Sequence, residues 1–523
     1  MRLTDVENMR LIDEQLGEQG FPVIVPMEHA GKAVADVAVN MLGDNQRVVI
    51  LAGKGNNGGD GFAAARWLTE YGKKVQCFGV GMSQREALTE YTMLINSGAE
   101  VLNMRTQSDL DYLAMSISRA GLVIDALLGT GFTGALNKDL VKICDLINGA
   151  KCPVLSVDIP TGVEAVSGAV AEHAVVADVT VTLARPKVGM LLYPARENVG
   201  DLLVAKIGFP PKLLAQDVSR YYLVDKEIVQ DLLPLRADDA HKGDNGRVTV
   251  VAGSKGFVGA AALCSRSAVK IGAGLVTLLT PASVSQILAV KLDEEMVRPL
   301  TETESGTLAP EAVQEVLNFG GDVLAMGPGL GTSEGTRTQI LEIIRQSDIP
   351  MVLDADVFTA LQDHLDALVA KHTPKVLTPH AGEFSRLLGL SVEEVNSNRL
   401  VLAMKYARMW HVVLVLKGAP TIVALPSGVT YLVDSGTSAM ATGGSGDVLT
   451  GVIAGLMAQG LDADAAAVCG TYLHGLAGGM ATEGVPGLAA GEITDNLFRA
   501  WQAVEEDDEG EEVIANGAIR RVP

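Results

Sequence analysis

The chain has 523 residues, of which 48% are hydrophobic and 20% are charged, a composition typical of a globular protein with two or more domains. Its 41 basic and 63 acidic residues give a net charge of −22, which argues against a nucleic acid as a general partner. The longest apolar stretch, 448–461, is too short and too rich in glycine to span a bilayer, so we expect no membrane partner.

The N-terminal segment and the cysteines indicate the cellular compartment. Residues 1–16 follow an amphipathic helix pattern with acidic residues throughout, unlike a signal or transit peptide. The five cysteines form no CxxC pair and are odd in number, which favours reduced, packed thiols. We therefore predict a cytoplasmic protein.

Strand-like apolar runs alternate with helical patterns along the chain, which predicts an α/β fold with mostly parallel sheets. The pattern is interrupted between 208 and 243, where we place a domain junction. The predicted domains are 1–215 and 225–505, followed by an acidic tail, 506–523, near the run "EEDDEGEE". The predicted strands are RVVILAG, KKVQCFGV, GLVIDAL, PVLSVDIP, DVTVTLA, DLLVAKIG, GRVTVVAGS, GLVTLLTP, DVLAMGPGLG, PMVLDAD, PKVLTPH, VVLVLKG and TIVALP.

Nearly every predicted strand ends in Gly, Asp, Pro or His. In open α/β sheets, ligands bind beyond the carboxyl ends of the strands, so these ends are where we expect chemistry. One strand that ends in these residues is explained equally well by a simple turn. The large number of such strand ends in each half of the chain favours a ligand site in each half.

The first glycine-rich motif, "LAGKGNNGGDGFAAARWL" (51–68), follows a strand and opens a helix. It matches neither the dinucleotide fingerprint nor a Walker sequence, because the glycine and lysine spacings differ. The amide oxygens of Asn56 and Asn57 suit a hard cation or ribose hydroxyls, and Asp60 suits a hydroxyl.

Two later strand ends add further oxygen donors. "IDALLGTGFTGAL" (124–136) contains Asp125 and a glycine-rich backbone cradle, and "SVDIPTGVEA" (156–165) contains Thr161. Asn57, Asp125 and Thr161 all offer oxygen atoms, the ligands that a monovalent or divalent cation prefers. Zinc prefers Cys or His ligands, which are missing from this set. The alternative is that these are turn caps that never meet.

The most specific motif of the second half is "SAMATGGSGDVLTGVIAGL" (438–456), a loop of small residues that leads into an apolar helix. Backbone N–H groups around Gly444 and Gly446 at a helix N-terminus favour a phosphate. Asp447 would repel that phosphate unless it faces an acceptor hydroxyl. In a loose phosphoryl-transfer transition state, a positioned Asp can take the proton of that hydroxyl.

Three other strand ends support a phosphate site. "VLKGAPTIV" offers Lys417 to phosphates, and "LTPHAGEFSRL" offers His380 to a substrate and Glu383 to a metal. In "AMGPGLG", the bare backbone at Gly327 and Gly329 would let a flat ring or ribose approach closely. The alternatives are a surface lysine, a first-turn carboxylate and a tight turn.

These second-half motifs resemble the ADP-dependent NAD(P)H-hydrate dehydratase, of the ribokinase-like superfamily, in their order from about 225 to 500. The resemblance implies a central sheet flanked by helices. It also implies an ADP- or ATP-binding site, with ADP as the co-substrate and Mg²⁺ as the metal ion. It places the nucleotide at Lys417, Gly418, Ala419, Pro420, Thr421 and Gly446. It places the hydrate at Gly327, Gly329, His380 and Asp447.

The implied reaction explains the acidic residue in the phosphate loop. Hydrated NADH or NADPH carries a hydroxyl on its reduced ring, and hydroxide is a poor leaving group. Asp447 would remove the hydroxyl proton during attack on the β-phosphate of ADP, and elimination of phosphate would restore the coenzyme.

The first half resembles the NAD(P)H-hydrate epimerase through "NNGGDG", "DALLGTG" and "DIPTG" across 1–215, which implies a Rossmann-like three-layer domain. The implied substrate residues are Asn56, Asn57, Gly58, Gly59, Asp60, Gly129, Thr130, Gly131, Phe132, Thr133, Gly134, Ala135 and Asp158. The implied K⁺ ligands are Asn57, Asp125 and Thr161, and Lys187 is placed near the substrate. Asp158 is our candidate acid/base.

The whole chain therefore resembles the fused bacterial repair enzymes. Hydration gives R and S epimers. The resemblance implies that the dehydratase converts the S form to NAD(P)H with ADP, giving AMP and phosphate, and that the epimerase interconverts the R and S forms. One alternative is a ribokinase-like kinase of a small vitamin-precursor alcohol, and another is a non-catalytic scaffold in 1–215. The family resemblance also implies a homo-oligomer.

Overall fold

The computed structural model describes residues 1–81, 85–234, 236–482, 487–506, 513–514 and 518–522. The chain forms two compact units. The N-terminal unit contains Arg2–Tyr221 and Asp508–Pro523, and the C-terminal unit contains Tyr222–Asp507 and Met1.

The strands, numbered in chain order, are β1 (Arg2–Leu3), β2 (Arg47–Ala52), β3 (Lys74–Gly79), β4 (Glu100–Asn103), β5 (Leu122–Ala126), β6 (Val154–Val157), β7 (Val179–Leu183), β8 (Asp201–Ala205), β9 (Tyr221–Leu223), β10 (Arg247–Val251), β11 (Leu275–Pro281), β12 (Met296–Leu300), β13 (Val323–Met326), β14 (Met351–Leu353), β15 (Lys375–Leu377), β16 (Val413–Leu416), β17 (Thr421–Ala424), β18 (Thr430–Val433), β19 (Val513–Ile514) and β20 (Ile519–Arg521).

The α-helices are α1 (Val6–Glu18), α2 (Ile24–Met41), α3 (Asn56–Glu70), α4 (Arg85–Asn96), α5 (Gln107–Ile117), α6 (Lys138–Asn148), α7 (Arg196–Val199), α8 (Pro211–Ala215), α9 (Lys226–Leu232), α10 (Val258–Lys270), α11 (Ala282–Lys291), α12 (Glu311–Phe319), α13 (Glu334–Gln346), α14 (Asp356–Leu361), α15 (Asp366–Val369), α16 (Ala381–Leu388), α17 (Val392–Ser397), α18 (Arg399–Trp410), α19 (Ser445–Ala458), α20 (Ala463–Ala481) and α21 (Ala490–Glu505). Short 3₁₀ helices lie at Val188–Leu191 and Ser438–Met440.

The sheet of the N-terminal unit has the strand order β19-β20-β8-β7-β6-β5-β2-β3-β4. Strands β2 to β8 pair in parallel, and β20 runs antiparallel to β8. The chain enters at β2, continues through β3 and β4, and then resumes at β5 on the other side of β2. This reversal leaves a crevice beyond the carboxyl ends of β2 and β5.

Helices cover both faces of this sheet. Alternate residues of β2 enter two different apolar cores, Ile50 in one and Leu51 in the other, because successive side chains of a strand point to opposite faces. Phe62 of α3 belongs to the first core, and Ile143 of α6 belongs to the second. The expected three-layer α/β arrangement is confirmed.

The end of the chain differs in part from the expected acidic tail, 506–523. Residues 507–512, 515–517 and 523 lie outside the described residues. Strand β20, however, pairs antiparallel with β8, and its Ile519 is 1% exposed. This segment is a strand of the sheet rather than a solvated tail, because Ile519 adds its apolar side chain to the core of the N-terminal unit.

Strands of the C-terminal unit lie in the order β18-β17-β16-β15-β14-β13-β10-β11-β12. Pairing is parallel from β16 to β12, and β17 and β18 are antiparallel. Strand order again reverses, here between β10 and β13. Each predicted strand is found, whereas β1, β4, β9, β12, β18, β19 and β20 were not predicted.

Helix α19, the predicted apolar helix, is buried beyond its first turn. A Cβ at Gly451 would lie 2.0 Å from the carbonyl oxygen of Cys264, and a Cβ at Gly455 would lie 2.3 Å from Ile271. The glycines therefore allow α19 and α10 to pack closely. Among the described residues, no helix is both long and apolar enough to cross a membrane.

Candidate functional sites

The candidate site of the C-terminal unit lies beyond the carboxyl ends of β13, β14, β15 and β16. These strands are consecutive parallel neighbours, so the residues that follow them meet at one edge of the sheet. Past the last paired residues, the backbone N–H of Lys417 donates to the carbonyl oxygen of Pro379 at 2.9 Å. Because of this bond, Lys417 and His380 lie side by side and form an isolated parallel β-bridge.

A network of charged side chains surrounds Lys417. Its Nζ lies 2.9 Å from Oδ1 of Asp354 and 3.9 Å from Oε2 of Glu383. Burial lowers the pKa of Lys417, but Asp354 and Glu383 raise it, and the net direction is upward. Thr450 of α19 donates to the other Asp354 oxygen at 2.8 Å. Lys417 therefore presents a fixed ammonium at this edge.

Asp447 lies in the first turn of α19, whose N-cap Gly444 has a φ of 98°. A Cβ at Gly446 would lie 3.0 Å from the Lys417 Nζ and 3.7 Å from Oδ2 of Asp354. The predicted residues Lys417, Gly446 and Asp447 therefore meet. Burial, with a contribution from Asp354 that Lys417 opposes, raises the pKa of Asp447 to about 7. A carboxylate with that pKa is a competent base near neutrality.

His380 and Glu383 form a capping box at the start of α16. The Nδ1 of His380 accepts from the N–H groups of Gly382 and Glu383, and Oε2 of Glu383 accepts from the N–H of His380. Burial and Lys417 lower the pKa of His380, so its ring is neutral at pH 7. Burial raises the pKa of Glu383 to about 7. The motif therefore has a structural role as well as facing the site.

Gly327 and Gly329 are required by close packing within the protein. Their φ angles are 129° and 66°, and a Cβ at Gly327 would lie 1.9 Å from the carbonyl oxygen of Asp354. A Cβ at Gly329 would lie 2.8 Å from the carbonyl oxygen of Phe257. We expected a ring or ribose of the ligand to lie close to these glycines. Instead, the backbone of the protein itself lies close to both of them. Contact of the substrate with these residues stays a prediction.

The loop 418–421 is held by a residue that the sequence did not single out. Arg399 of α18 donates to the carbonyl oxygens of Leu416, Ala419 and Pro420. The hydroxyl of Thr421 donates to the carbonyl oxygen of Gly418 at 3.0 Å. The predicted nucleotide loop is therefore a fixed backbone surface next to Lys417.

The candidate site of the N-terminal unit is a cavity of about 940 Å³ at the predicted crevice. Predicted residues that line it are Asn56, Asn57, Asp60, Gly129, Thr130, Gly131, Phe132, Thr133, Ala135 and Asp158. Predicted residues that do not line it are Gly58, Gly59 and Gly134. At Gly58 a Cβ would lie 1.8 Å from the carbonyl oxygen of Gly53, so this glycine permits the turn from β2 into α3.

Asp158 and Lys187 form a buried ion pair on the wall of this cavity. Lys187 is 1% exposed, and its Nζ also donates to Thr182 Oγ1 at 3.1 Å and to the carbonyl oxygen of Leu183 at 3.2 Å. Asp158 has a φ of 64°, in the left-handed region, which turns its side chain at the end of β6. Lys187 was predicted near the substrate, and the cavity wall includes it.

The predicted cation ligands also meet. Thr161 Oγ1 donates to Asp125 Oδ1 at 2.7 Å, and the Thr161 N–H donates to Asp125 Oδ2 at 2.9 Å. The side-chain amide of Asn57 donates to the carbonyl oxygen of Leu128, which in turn lies beside Thr161. The Asn57 Oδ1 is buried without a hydrogen-bond partner among the described residues. Such an oxygen fits a cation ligand.

Two further carboxyl groups line the same cavity. Burial, with contributions from Asp158 and Glu90, raises the pKa of Asp60 well above its usual range. Asp13 of α1 was not singled out from the sequence, where it looked like one of several acids on an amphipathic helix. No short motif marks it, because α1 reaches the cavity only through the tertiary fold.

Two family models match the chain. The one described as NAD(P)H-hydrate dehydratase matches residues 248–498, and the one described as YjeF-related protein N-terminus matches residues 24–189. A bifunctional NAD(P)H-hydrate repair enzyme of Moorella thermoacetica is 40% identical over 513 residues, 96% of each chain. That of Thermofilum pendens is 39% identical over 531 residues, 100% of each chain.

A solved structure is also similar to part of the chain. The ADP/ATP-dependent NAD(P)H-hydrate dehydratase from Bacillus subtilis, co-crystallised with ATP and Mg²⁺, is 31% identical. The similarity covers 54% of this chain and 98% of that one, with a TM-score of 0.49.

Proposed function

The chain belongs to the family of bifunctional NAD(P)H-hydrate repair enzymes, and we propose that it divides the two repair reactions between its two units. The enzyme epimerises hydrated NADH and NADPH and dehydrates them back to the coenzymes. We assign dehydration to the C-terminal unit, which contains the dehydratase match, and epimerisation to the N-terminal unit.

The observation that carries the dehydratase assignment is the meeting of Asp447, Gly446 and Lys417 at the N-terminus of α19. Amides of the helix terminus and the Lys417 ammonium attract phosphate, and Asp447 is the carboxyl group in the first turn of the same helix. The raised pKa of Asp447 keeps it able to accept a proton near pH 7.

We assign the following roles in dehydration. Asp447 takes the proton of the ring hydroxyl while that oxygen attacks the β-phosphate of ADP, and AMP leaves. Lys417 and the N–H groups around Gly446 hold the transferred phosphoryl group. The lone pair of the ring nitrogen then expels phosphate, a ring proton is lost, and NADH or NADPH is restored. Residues 418–421 hold the nucleotide, with Arg399 keeping their backbone in place.

The C-terminal site fits Mg²⁺ only as a partner of the nucleotide. No group of three or more His, Cys, Asp or Glu side chains in the described parts of the chain is spaced to hold a metal. Mg²⁺ commonly takes most of its ligands from water and substrate phosphates, with one or two carboxylates. We propose Glu383, at the same edge, as its carboxylate. When bound, Mg²⁺ would neutralise charge on the phosphates.

For epimerisation, we propose that the cavity of the N-terminal unit holds the hydrated ring beside Asp158. Its volume of about 940 Å³ lies at the upper end of the usual range for small-ligand sites and suits a dinucleotide. Residues 129–133 and Ala135 line the cavity where the substrate would lie, and Lys187 keeps the Asp158 carboxylate fixed on the wall.

The unpartnered Asn57 Oδ1, with Asp125 and Thr161, fits a K⁺ ion. All three side chains supply oxygen, and the buried Asp125 carboxylate benefits from a neighbouring positive charge. Bound K⁺ would add positive charge next to the loop at Leu128 and Gly129. We propose K⁺ as the resident cation of this unit.

The kinase alternative is less supported than repair, because the family match and the full-length relatives are those of hydrate repair enzymes. The alternative that the N-terminal unit is a non-catalytic scaffold does not explain its cavity, the Asp158–Lys187 ion pair or the unpartnered Asn57 Oδ1.

One experiment tests both assignments. An equal mixture of the two NADPH hydrate epimers is incubated with the enzyme, excess ADP, Mg²⁺ and K⁺, and NADPH is followed by its absorbance. We expect complete conversion in one phase. Asp158→Asn should keep the initial rate but stop at half conversion, continuing only at the spontaneous rate of epimer exchange. A wild-type enzyme that stops at half conversion would contradict the epimerase assignment.

A further inference from the structure

Two carboxyl groups on the wall of the N-terminal cavity differ in their surroundings. Asp158 accepts from Lys187, from the N–H of Leu183 at 3.0 Å and from Thr182 Oγ1 at 3.3 Å, all at Oδ1. Asp13 has no hydrogen bond or ion pair with any residue that the structure describes, and its side chain is exposed to the cavity. Three donors therefore converge on one oxygen of Asp158, whereas the Asp13 carboxyl is open to a ligand in the cavity.

Helix α1 places Asp13 in an apolar part of this wall. The N-cap of α1 is Asp5, whose side chain accepts from the N–H of Asn8, so the first turn is fixed. Met9 precedes Asp13 by four residues and Leu16 follows it by three, so all three lie on one helix face. Met9 and Leu16 are buried and line the same cavity.

The reaction assigned to this unit needs a proton donor at the ring hydroxyl. The two epimers differ only at the carbon that carries this hydroxyl, which is bonded to the ring nitrogen. The C–O bond breaks when the hydroxyl is protonated and leaves as water while the nitrogen lone pair forms a C=N bond. Water then adds to the other face and loses one proton, so atoms and charge balance.

We propose that Asp13 is a catalytic residue of epimerisation, the general acid that protonates the departing hydroxyl. The water that adds to the opposite face gives its proton to solvent, from which Asp13 is reprotonated. Asp158, held on the cavity wall by Lys187, stabilises the cationic ring. This inference rests on the epimerase function proposed above. It changes the candidate acid/base of the reaction from Asp158 to Asp13.

The electrostatics agree with this division of roles. Desolvation raises the pKa of Asp13 to about 6, with Lys187 lowering it and Asp158 raising it. The ionisable groups that line the cavity with Asp13 are Asp60, Asp158, Lys187 and Lys54, together with Arg10 on the same helix. Pairs of carboxyl groups whose surroundings separate their proton affinities commonly divide the acid and charge-stabilising roles.

The test compares Asp13→Asn, Asp13→Glu and Glu18→Gln in the full-length enzyme with K⁺. Glu18 is exposed at the end of the same helix and does not line the cavity. Epimer exchange is measured on a single purified NADPH hydrate epimer between pH 5 and 8, after subtraction of the spontaneous rate. Dehydration by each variant, with ADP, reports on the C-terminal unit, and the thermal unfolding of each variant reports on the fold of the N-terminal unit.

We expect Asp13→Asn to lower kcat/KM for epimer exchange by about 10²–10⁴-fold, a usual loss for a general acid. The wild-type value should fall as pH rises through about 6, and Asp13→Asn should lose this dependence. Asp13→Glu should recover part of the rate, Glu18→Gln should match wild type, and dehydration should not change. Exchange by Asp13→Asn at the wild-type rate, or with the pH dependence intact, would overturn the inference. Absence of exchange in the wild type would instead refute the epimerase function itself.

Discussion

The ammonium of Lys417 lies 2.9 Å from the carboxylate of Asp354, two residues that are separated by 63 positions in the chain. Asp354 follows β14 and Lys417 follows β16, so the pair joins the ends of two strands. Thr450 ties the same carboxylate to α19. This arrangement sets the ammonium beside Gly446 and therefore at the phosphate end of the proposed dehydratase site.

Replacing Lys417 by glutamine should weaken catalysis by the C-terminal unit. The ammonium is the fixed positive charge of the site, and removal of such a charge-stabilising donor commonly costs about 10²–10³-fold. We expect a loss of this size in kcat/KM for dehydration with ADP. Epimer exchange should be unchanged. Lys270→Gln, at an exposed position of α10, is the control and should match wild type.

The dehydration rate should depend on the ionisation of Asp447. Its pKa is raised to about 7, and only the carboxylate form accepts a proton. We therefore expect kcat to rise with pH below about 7 and to level off above it. Glu383 has a similar pKa, so the profile is also measured on Glu383→Gln, which should keep the rise. A profile that is flat in the wild type from pH 5.5 to 8.5 would rule out Asp447 as the base.

Gly446→Ala should damage activity without damaging the fold. The new Cβ would lie 3.0 Å from the Lys417 Nζ, the far end of a long side chain, so the ammonium must shift from its position beside Asp354. A displacement near 1 Å in a catalytic site can cost about 10²-fold, and we expect that loss in dehydration. Gly335→Ala, also the second residue of a helix and with open space around it, is the matched control. Equal activities of the two variants would contradict the proposed place of the phosphate.

Removal of K⁺ should affect only the N-terminal unit. If Asn57, Asp125 and Thr161 hold K⁺, exchange of K⁺ for tetramethylammonium leaves the Asn57 Oδ1 and the Asp125 carboxylate without their cation. We expect slower epimer exchange that returns on addition of KCl. Asn57→Leu should show no response to K⁺. Dehydration, measured in the same solutions, should be insensitive to the change, and an equal effect on both activities would point to general ionic strength.

The sequence predicted which ends of strands carry the site, because buried parallel strands must end at one edge of a sheet. Gly327, His380 and Lys417 were identified in this way, and the structure brings them to the edge that was expected. Asp354 was recognised only as part of a strand end, since nothing local shows that its carboxylate pairs with a lysine so far along the chain.

Other features depend on the tertiary fold and had no local signal. Arg399 is one charged residue on a helix, and its bonds to the loop at 419–420 exist only because α18 packs beside that loop. Asp13 reaches the cavity through the position of α1. Strand β20 has three residues, Ile519–Arg521, too few for a periodic pattern to be recognised.

The most direct measurement of the central claim is the dehydration rate of Asp447→Asn with hydrated NADPH, ADP and Mg²⁺, followed by NADPH absorbance. The amide is nearly the same size as the carboxylate but cannot accept the hydroxyl proton. The account predicts near-complete loss of dehydration with epimer exchange at the wild-type rate. Dehydration by Asp447→Asn at the wild-type rate would contradict it.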